Sequence, residues 1–89
     1  AKTVAFRLFP KQALTRIRRL LETGDIALFA STRRNLDVFH LGIIIKRGAD
    51  LWLRHASRTA GQVIEQPLAD FLKAQRMSGI ILLRPLCQR

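Results

Sequence analysis

Short apolar runs separated by polar breaks follow one another along most of this chain. Six segments carry apolar side chains in blocks or in alternation, as β-strands do: residues 3–9, 25–31, 37–45, 51–57, 62–66 and 79–84. Two others place apolar side chains three or four positions apart, which predicts helices at residues 11–22 and 67–72. The expected order of elements is therefore β-α-β-β-β-β-α-β.

The spacing of these elements indicates the fold class. Polar turns, among them residues 32–36 and 58–61, separate the middle strands and favour antiparallel hairpins. We therefore expect a small α+β fold, a mostly antiparallel curved sheet or half-barrel with two short helices. The strand at residues 79–84 is apolar on both faces and is expected at a central or covered position. Residues 1–89 are expected to form a single β-rich domain.

The two histidines of the chain lie in two consecutive predicted strands. The break between these strands, Arg-Gly-Ala-Asp at residues 47–50, has glycine at its first central position, which predicts a β-hairpin with a type II′ turn. If the first and last residues of this break pair, His40 opposes Ser57. Gly42 then opposes His55, and both imidazoles project from one face as diagonal neighbours. Two imidazoles beside a hydroxyl and a glycine indicate part of a functional site.

These residues also have purely structural interpretations. A strand histidine is often a half-exposed structural residue, and a loop one residue longer would place the two rings on opposite faces. Gly42 either leaves room for a substrate backbone or allows close strand packing, and Ser57 either binds substrate or caps a turn. Trp52, on the face opposite His55, is expected in the core. Asp25 is expected to tie down the turn between helix and strand.

The charge of the chain restricts its partners. Sixteen basic and six acidic residues give a net charge of +10, which either favours an anionic partner or keeps the surface solvated. Nucleic-acid modules usually combine a basic patch with exposed aromatic side chains. This chain has no tyrosine and carries most of its phenylalanines within apolar runs. No specific nucleic-acid partner is therefore expected.

Few residues of this chain suit metal binding or membrane insertion. Cys87 is the single cysteine, so an internal disulfide or a thiolate metal cluster is not expected. Two histidines without a nearby set of carboxylates or thiolates are too few for structural zinc, and neither a metal nor a cofactor is expected. No apolar run is long enough to span a membrane, and these residues contain no signal peptide.

Several phrases of the sequence resemble one enzyme family. The NlpC-like branch of the papain-like cysteine peptidases and amidases is similar at three segments: Thr-Gly-Asp-Ile-Ala-Leu-Phe at 23–29, Leu-Asp-Val-Phe-His-Leu-Gly-Ile at 36–43 and His-Ala-Ser at 55–57. Segments 67–72 and 79–85 are similar to one subgroup, described as N-acetylmuramoyl-L-alanine amidase-like and catalogued as a domain of unknown function. The resemblance covers roughly residues 10–85.

The resemblance implies an activity and roles for matched residues. Family members use a cysteine nucleophile at the start of a helix, a histidine on the sheet as base and a third polar residue on the next strand. By this resemblance His40 is the base, His55 is the orienting residue, and Gly42 and Ser57 lie near the substrate. The implied reaction is amide cleavage in peptidoglycan or a muropeptide. The implied location is the bacterial cell envelope, either periplasmic or secreted.

The nucleophile of that family has no counterpart before His40. Cys87 follows the last predicted strand and does not match the motif position. We therefore expect residues 1–89 to be the C-terminal part of a larger enzyme of papain-like, NlpC-type fold, whose upstream helical part carries the cysteine. This chain alone is expected to be inactive. The alternative is a non-catalytic basic module that binds a cell-envelope polymer or nucleic acid.

Overall fold

A computed structural model describes residues 2–31 and 37–87 of the chain, and the side chains of residues 10–31 and 37–85. Its elements in chain order are β1 (Lys2–Pro10), α1 (Leu14–Ile17), β2 (Ile26–Ser31), β3 (Asp37–Arg47), β4 (Asp50–Ser57), β5 (Gln62–Pro67), α2 (Leu68–Ala74) and β6 (Gly79–Cys87). The predicted order of strands and helices is confirmed. The polar turn expected at residues 32–36 lies outside the described residues.

The six strands form one open antiparallel sheet. Their order across the sheet is β1-β6-β2-β3-β4-β5, and each neighbouring pair is antiparallel. This arrangement confirms the small α+β fold on an antiparallel sheet. β6 lies between β1 and β2, and its residues Ile80 and Ile81 are buried, as expected for a strand that is apolar on both faces.

The first helical segment is less regular than its sequence pattern predicts. α1 is flanked by 3-10 turns at Lys11–Ala13 and Arg18–Leu20, and Leu21 is already extended, with φ −72° and ψ 141°. Leu21 is buried, whereas Leu20 is 66% exposed. The 3-10 turn has fewer residues per turn than the α-helix, which moves Leu20 away from the buried face. No helix in the described ranges is both long and apolar enough to cross a membrane.

The hydrophobic core lies between one face of the sheet and α2. The strands contribute alternate side chains to it, because successive residues of a strand point to opposite faces. The predicted buried side of α2, which is Leu68, Phe71 and Leu72, is confirmed. The buried cluster consists of Leu21, Ala27, Phe29, Ile44, Leu53, Leu68, Phe71, Leu72 and Ile80.

The hairpin of β3 and β4 has the predicted register and turn. Arg47 pairs with Asp50, and the ladder continues as far as Ile43 and Arg54. Gly48 has a φ of +60° and Ala49 does not have a positive φ, as a type II′ turn requires. The ladder ends before it reaches the histidines, so their contact is made by side chains alone.

Candidate functional site

His40 and His55 are in direct contact on the core side of the sheet. His40 Nε2 lies 2.8 Å from His55 Nδ1. The ring centroids are 4.9 Å apart and the ring planes meet at 83°. His55 is only 7% exposed, whereas His40 is partly exposed. The prediction that the two imidazoles share a face is confirmed, while the catalytic roles assigned to them stay predictions.

A third polar side chain, which sequence reasoning missed, continues this contact. Gln66 Oε1 lies 2.6 Å from His55 Nε2. An amide oxygen can only accept, so His55 Nε2 donates and, in the neutral ring, Nδ1 accepts from His40 Nε2. His40 Nδ1 then keeps its lone pair, and it has no hydrogen-bond partner in the part of the chain that the structure describes.

Three adjacent strands bring these side chains together. In the ladder between β4 and β5, His55 opposes Ile64 and Leu53 opposes Gln66. Gln66 is thus the diagonal neighbour of His55, and such neighbours have Cα atoms roughly 7–8 Å apart, within reach of long side chains. The short turn at residues 58–61 together with the alternation of β5 was the signal that would have identified Gln66.

Two phenylalanines pack against the histidine pair. Phe71 of α2 stacks on His40 with ring centroids 5.4 Å apart and meets His55 edge-on at 5.0 Å. The ring centroid of Phe29, on β2, lies 4.6 Å from that of Phe71 and 6.3 Å from that of His40. These contacts fix both imidazoles and remove water from one side of each ring. The site therefore couples polar side chains to the hydrophobic core.

This environment keeps His40 neutral. Burial lowers the pKa of His40 below its ordinary value of 6.5, and the charges of His55 and Arg58 lower it further. An imidazole with a lowered pKa is unprotonated at neutral pH, so its free nitrogen can accept a proton.

A β-bulge lies next to His40. Phe29 opposes His40, but Ala30 opposes Val38, so Phe39 is an extra residue on β3. Bulges bend a strand and re-aim its side chains, and they are frequent near active sites. Val38, Phe39 and the neighbouring Leu41 are exposed here.

A groove of about 630 Å³ runs beside the histidines, and we call it the histidine groove. It is lined by Val38, Phe39, His40, Leu41, Gly42, Ile43, Arg54, His55, Ala56, Arg58 and Val63. Most of these side chains are apolar, and the charged ones are basic. Because successive side chains of a strand point to opposite faces, Leu41, Arg54 and Val63 of this lining project from the face opposite the two imidazoles.

Gly42 had two interpretations, open space beside His40 or close strand packing, and the structure decides between them. A Cβ placed on Gly42 would lie 2.6 Å from Leu53 Cδ1 and 3.0 Å from the Arg54 carbonyl oxygen. The space is filled by the neighbouring strand, so the close-packing interpretation applies at this position. Because Gly42 still lines the histidine groove, a role in substrate binding is left to its backbone and stays a prediction.

Ser57 forms a turn rather than lining the groove. Its Oγ accepts a hydrogen bond from the Ala60 amide at 3.1 Å, and its carbonyl oxygen accepts one from the Gly61 amide at 2.8 Å. Gly61 has a φ of +67°, a conformation that favours glycine. Ser57 therefore caps the turn that carries Arg58, and its predicted contact with substrate stays a prediction.

The opposite face of the sheet carries a charged cluster around Glu65. Arg47 Nη2 lies 2.6 Å from Glu65 Oε1, and Arg54 Nη2 lies 2.7 Å from Oε2. These hydrogen bonds, from Arg54 first and then Arg47, hold the pKa of Glu65 below its ordinary value of 4.5. Trp52 is half-buried on this face, with the Arg47 guanidinium 5.5 Å from its ring centroid. The expectation that Trp52 belongs to the core is wrong, because the core lies on the other face.

Asp25 has the structural role that was expected. Its carboxylate accepts hydrogen bonds from Arg84 Nε and Nη2, both at 2.8 Å, and from the Glu22 amide at 2.9 Å. Burial acts to raise the pKa of Asp25, but the hydrogen bonds and the charge of Arg84 outweigh it, so the pKa lies below 3.8. Asp25 thereby joins the end of the helical segment to β6.

The position of Cys87 separates it from the histidines. Ile80 opposes Phe29, which in turn opposes His40. Cys87 lies at the far end of β6, seven residues beyond Ile80, a distance of roughly 23 Å along an extended strand. Within the residues that the structure describes, no three His, Cys, Asp or Glu side chains converge to hold a metal ion.

The chain is similar to known proteins over most of its length. A family model described as AmiA-like, N-acetylmuramoyl-L-alanine amidase-like, matches residues 1–80. A search of curated proteins finds no significant match.

Several solved structures are also similar. An N-acetylmuramoyl-L-alanine amidase from Bacteroides uniformis is 34% identical, with a TM-score of 0.65 over 75% of this chain and 30% of its own. A candidate xylanase from Bacteroides fragilis is 32% identical, with a TM-score of 0.71 over 88% of this chain and 36% of its own. A Legionella pneumophila protein, 23% identical with a TM-score of 0.72 over 90% of this chain and 33% of its own, supports the fold alone. This chain therefore spans 30–36% of the length of these proteins.

Proposed function

Because this chain belongs to the N-acetylmuramoyl-L-alanine amidase-like family, we propose that it is the β-rich part of a cysteine-type amidohydrolase that cleaves an amide in peptidoglycan or a muropeptide. The observation that carries this proposal is the hydrogen-bonded series of Gln66, His55 and His40, which ends in an Nδ1 without a partner among the described residues. Such a series supplies a base of fixed tautomer together with its orienting partner, as thiol hydrolases require.

The proposed nucleophile is a cysteine thiol outside residues 1–89, in a helical part that completes a papain-like fold of the NlpC type. Two observations support this. The chain spans only 30–36% of the similar solved structures. Cys87 lies far along β6 from the strand positions that neighbour His40. Without that thiol, residues 1–89 alone do not cleave the substrate.

In the proposed reaction His40 Nδ1 takes the thiol proton, and the thiolate attacks the carbonyl carbon of the substrate amide. The imidazolium that forms is stabilised by the hydrogen bond from His40 Nε2 to His55. His40 then donates the proton to the amine nitrogen as the carbon–nitrogen bond breaks, which leaves a thioester. Water, deprotonated by the same nitrogen, hydrolyses the thioester and releases the acid and the free thiol.

The surroundings of the two imidazoles support amide chemistry over the glycoside hydrolysis suggested by the name of the Bacteroides fragilis protein. Glycosidases use two carboxyl groups on opposite sides of the scissile bond, roughly 5–10 Å apart. The described side chains that pack against or hydrogen-bond to the two imidazoles are Phe29, Phe71 and Gln66, and none of them is a carboxylate. Imidazole is the titratable group present, and it suits an acyl transfer to a thiol.

The substrate that we propose places the whole protein at the bacterial cell envelope, periplasmic or secreted. Peptidoglycan carries free carboxylates, and a chain with a net charge of +10 attracts such a polymer over long range.

The second candidate function is a non-catalytic basic module that binds an anionic polymer. It is favoured by a cluster of cations that Arg16, Arg18, Arg19 and Lys46 form where the helical segment meets the turn of β3 and β4. In this function the histidines only stabilise the fold.

The decisive experiment uses the whole protein and purified muropeptides, with products identified by mass spectrometry. Replacing His40 by alanine is expected to lower kcat/KM by about 10²–10⁴-fold, because general acid–base catalysis is lost. Lys73→Ala, at an exposed position of α2, is the control and should leave turnover unchanged. The basic module would be supported by equal rates for His40→Ala and the whole protein. Thiol-dependent turnover by residues 1–89 alone would contradict the position proposed for the nucleophile.

A further inference from the structure

A cluster of four cations lies at the hairpin end of the sheet, away from the histidines. The helical segment meets the turn of β3 and β4 there, around a hollow of about 790 Å³ that we call the cationic hollow. Its basic lining residues are Arg16, Arg18, Arg19 and Lys46. His40 and Lys46 are six residues apart on β3, which is roughly 20 Å along an extended strand. The cationic hollow is thus separate from the histidine pair.

No acidic side chain of the described residues compensates these four charges. The ion pairs in this part of the chain involve Arg47, Arg54 and Arg84, and none involves a cation of the hollow. Glu22 and Asp50 are close along the chain but do not line the hollow. Like charges held near one another repel, so an anion that binds between them relieves that repulsion.

Two of the cations are held in place by backbone carbonyl groups. Arg18 Nη2 donates to the Ala49 carbonyl oxygen at 2.9 Å, and Lys46 Nζ donates to the Arg19 carbonyl oxygen at 3.1 Å. A guanidinium has five N–H donors and an ammonium has three, so one such bond leaves most of them for a ligand. Cations that are already ordered lose less conformational freedom when an anion binds.

An exposed apolar side chain adjoins the cationic hollow. Leu20 follows Arg19 in the chain and is 66% exposed. Its backbone is ordered, because its carbonyl oxygen accepts a hydrogen bond from Arg84 Nη2 and it ends the 3-10 turn Arg18–Leu20. Covering such a side chain is favourable where a partner offers an apolar phase.

An apolar groove also borders the cationic hollow. It measures about 770 Å³ and lies between the helical segment and α2, and Thr15 and Arg18 line both cavities. The half-buried Leu14 and Leu51, which pack against the core cluster, contribute to its lining. Cations and apolar side chains therefore lie side by side on one surface, which is typical of proteins that bind at the interface of an anionic membrane.

We propose that this end of the molecule docks onto an anionic phospholipid membrane. The lipid phosphates bind to the cations of the hollow, and Leu20 enters the layer between the headgroups and the acyl chains. Guanidinium groups match phosphate oxygens through paired hydrogen bonds. A soluble polyanion would satisfy the cations but would offer no apolar phase to Leu20, so a bilayer fits both observations. This inference goes beyond the proposed function and does not rest on it, because neither histidine takes part.

The test is sedimentation of the whole protein with two kinds of phospholipid vesicle. One kind is phosphatidylcholine alone, and the other is an equal mixture of phosphatidylcholine with phosphatidylglycerol, which is anionic. We expect the anionic vesicles to bind the protein about tenfold more strongly or better, because several basic side chains gain from the negative surface potential. Added salt should weaken that binding, since it screens the charges.

Three variants locate the docking site. Arg19→Gln should lower the partition coefficient for anionic vesicles about fivefold, which is the contribution of one basic side chain at such a surface. Leu20→Gln should also lower it about fivefold, because an apolar side chain is lost from the interface. Arg58→Gln is the matched control, since it makes the same change in net charge beyond the other end of β4 and should leave binding within about twofold. All three side chains are exposed, so the variants should keep the fold.

Three results would overturn the proposal. The first is equal binding to the neutral and the anionic vesicles, and the second is equal effects of Arg19→Gln and Arg58→Gln. The third is unchanged binding by Leu20→Gln together with equally strong binding to soluble poly(glycerol phosphate), which would assign the hollow to an anionic polymer instead. Sedimentation needs no turnover, so the vesicle result and the cleavage of muropeptides decide the two proposals separately.

Discussion

Two buried polar clusters lie next to β2, one around Asp25 and one around His55. They differ in whether every polar atom has a hydrogen-bond partner among the described residues. In the first cluster, both oxygens of the Asp25 carboxylate accept hydrogen bonds. Oδ1 accepts one from Arg84 Nε, and Oδ2 accepts one from Arg84 Nη2 and one from the Glu22 amide. In the second, both nitrogens of His55 are used, by Gln66 and by His40, but the series continues to a nitrogen without a described partner. Asp25 is 3% exposed and His55 is 7% exposed, so burial does not distinguish them.

The difference between the two clusters indicates which polar atoms can accept a proton. Buried polar groups are almost always hydrogen-bonded, and a cluster that satisfies all of its members serves the fold. A cluster that ends in a lone pair without a described hydrogen-bond partner has proton-accepting capacity that the described part of the fold does not use. His40, with its lowered pKa and its open Nδ1, belongs to this second kind.

The closed cluster, which is Asp25 with Arg84 and the Glu22 amide, is expected to contribute more to the free energy of unfolding than the cluster around His55. Replacing Arg84 by alanine leaves the Asp25 carboxylate buried without its partner, which should cost about 2–4 kcal/mol in the free energy of unfolding. Urea denaturation measures this, with Arg19→Ala as an exposed control. Arg84→Lys keeps the charge without the paired hydrogen bonds, so its free energy of unfolding should lie between those of Arg84→Ala and Arg19→Ala. A loss no greater than that of Arg19→Ala would show that the closed cluster contributes little.

In the open cluster, which is Gln66, His55 and His40, a substitution is expected to change the free energy of unfolding less and to change which imidazole nitrogen is protonated. Gln66→Leu leaves the Nε2 proton of His55 without an acceptor, at a cost of about 1–3 kcal/mol. Long-range ¹H–¹⁵N spectra of the imidazoles should show Nε2-protonated rings in the unaltered chain and a mixed His55 tautomer in the variant. Gln66→Glu retains an acceptor and should restore the single tautomer. Identical tautomers in all three chains would remove Gln66 from the site.

The smallest expected effect is a difference in the pH at which the two clusters weaken the fold. The folded chain binds a proton at His40 less readily than the unfolded chain does, so stability should begin to fall as the pH drops below about 6.5. For Asp25 the pKa is also lowered in the folded chain, so its contribution is present above pH 3.8 and is lost as the pH falls below that value. Denaturation midpoints measured from pH 8 to pH 3 should therefore decline in two steps.

Variants assign each of these steps. His40→Ala should remove the upper decline, and Asp25→Asn should reduce the lower one, to which Glu65 also contributes. A single decline that both variants leave unchanged would mean that neither cluster controls the pH dependence.

Much of the fold could be predicted from local patterns. Apolar alternation identified the strands, and glycine at position 48 fixed the turn that sets the register of β3 and β4. Because that register is local, the shared face of His40 and His55 followed from it. The structural role of Asp25 was also predictable, since an aspartate after a glycine at a helix end is typical of a turn.

The parts that were missed all depend on contacts between distant segments. Leu53 fills the space over Gly42, which decides between the two interpretations that the sequence left open. The bulge at Phe39 arises from the pairing of β2 with β3 and has no clear local signal. Trp52 was expected in the core from its position opposite His55, yet it is half-buried and lies outside the core cluster.

The sequence by itself determined the order of elements, the tight turn at Gly48 and the side of the strand from which each imidazole projects. These follow from backbone sterics and from a two-residue alternation, which act between neighbouring residues. Tertiary structure decided which partner fixes the tautomer of His55 and which ring covers His40. Those outcomes depend on how β5 and α2 pack against β4, and packing between segments is set by shape and hydrogen bonding across the whole fold.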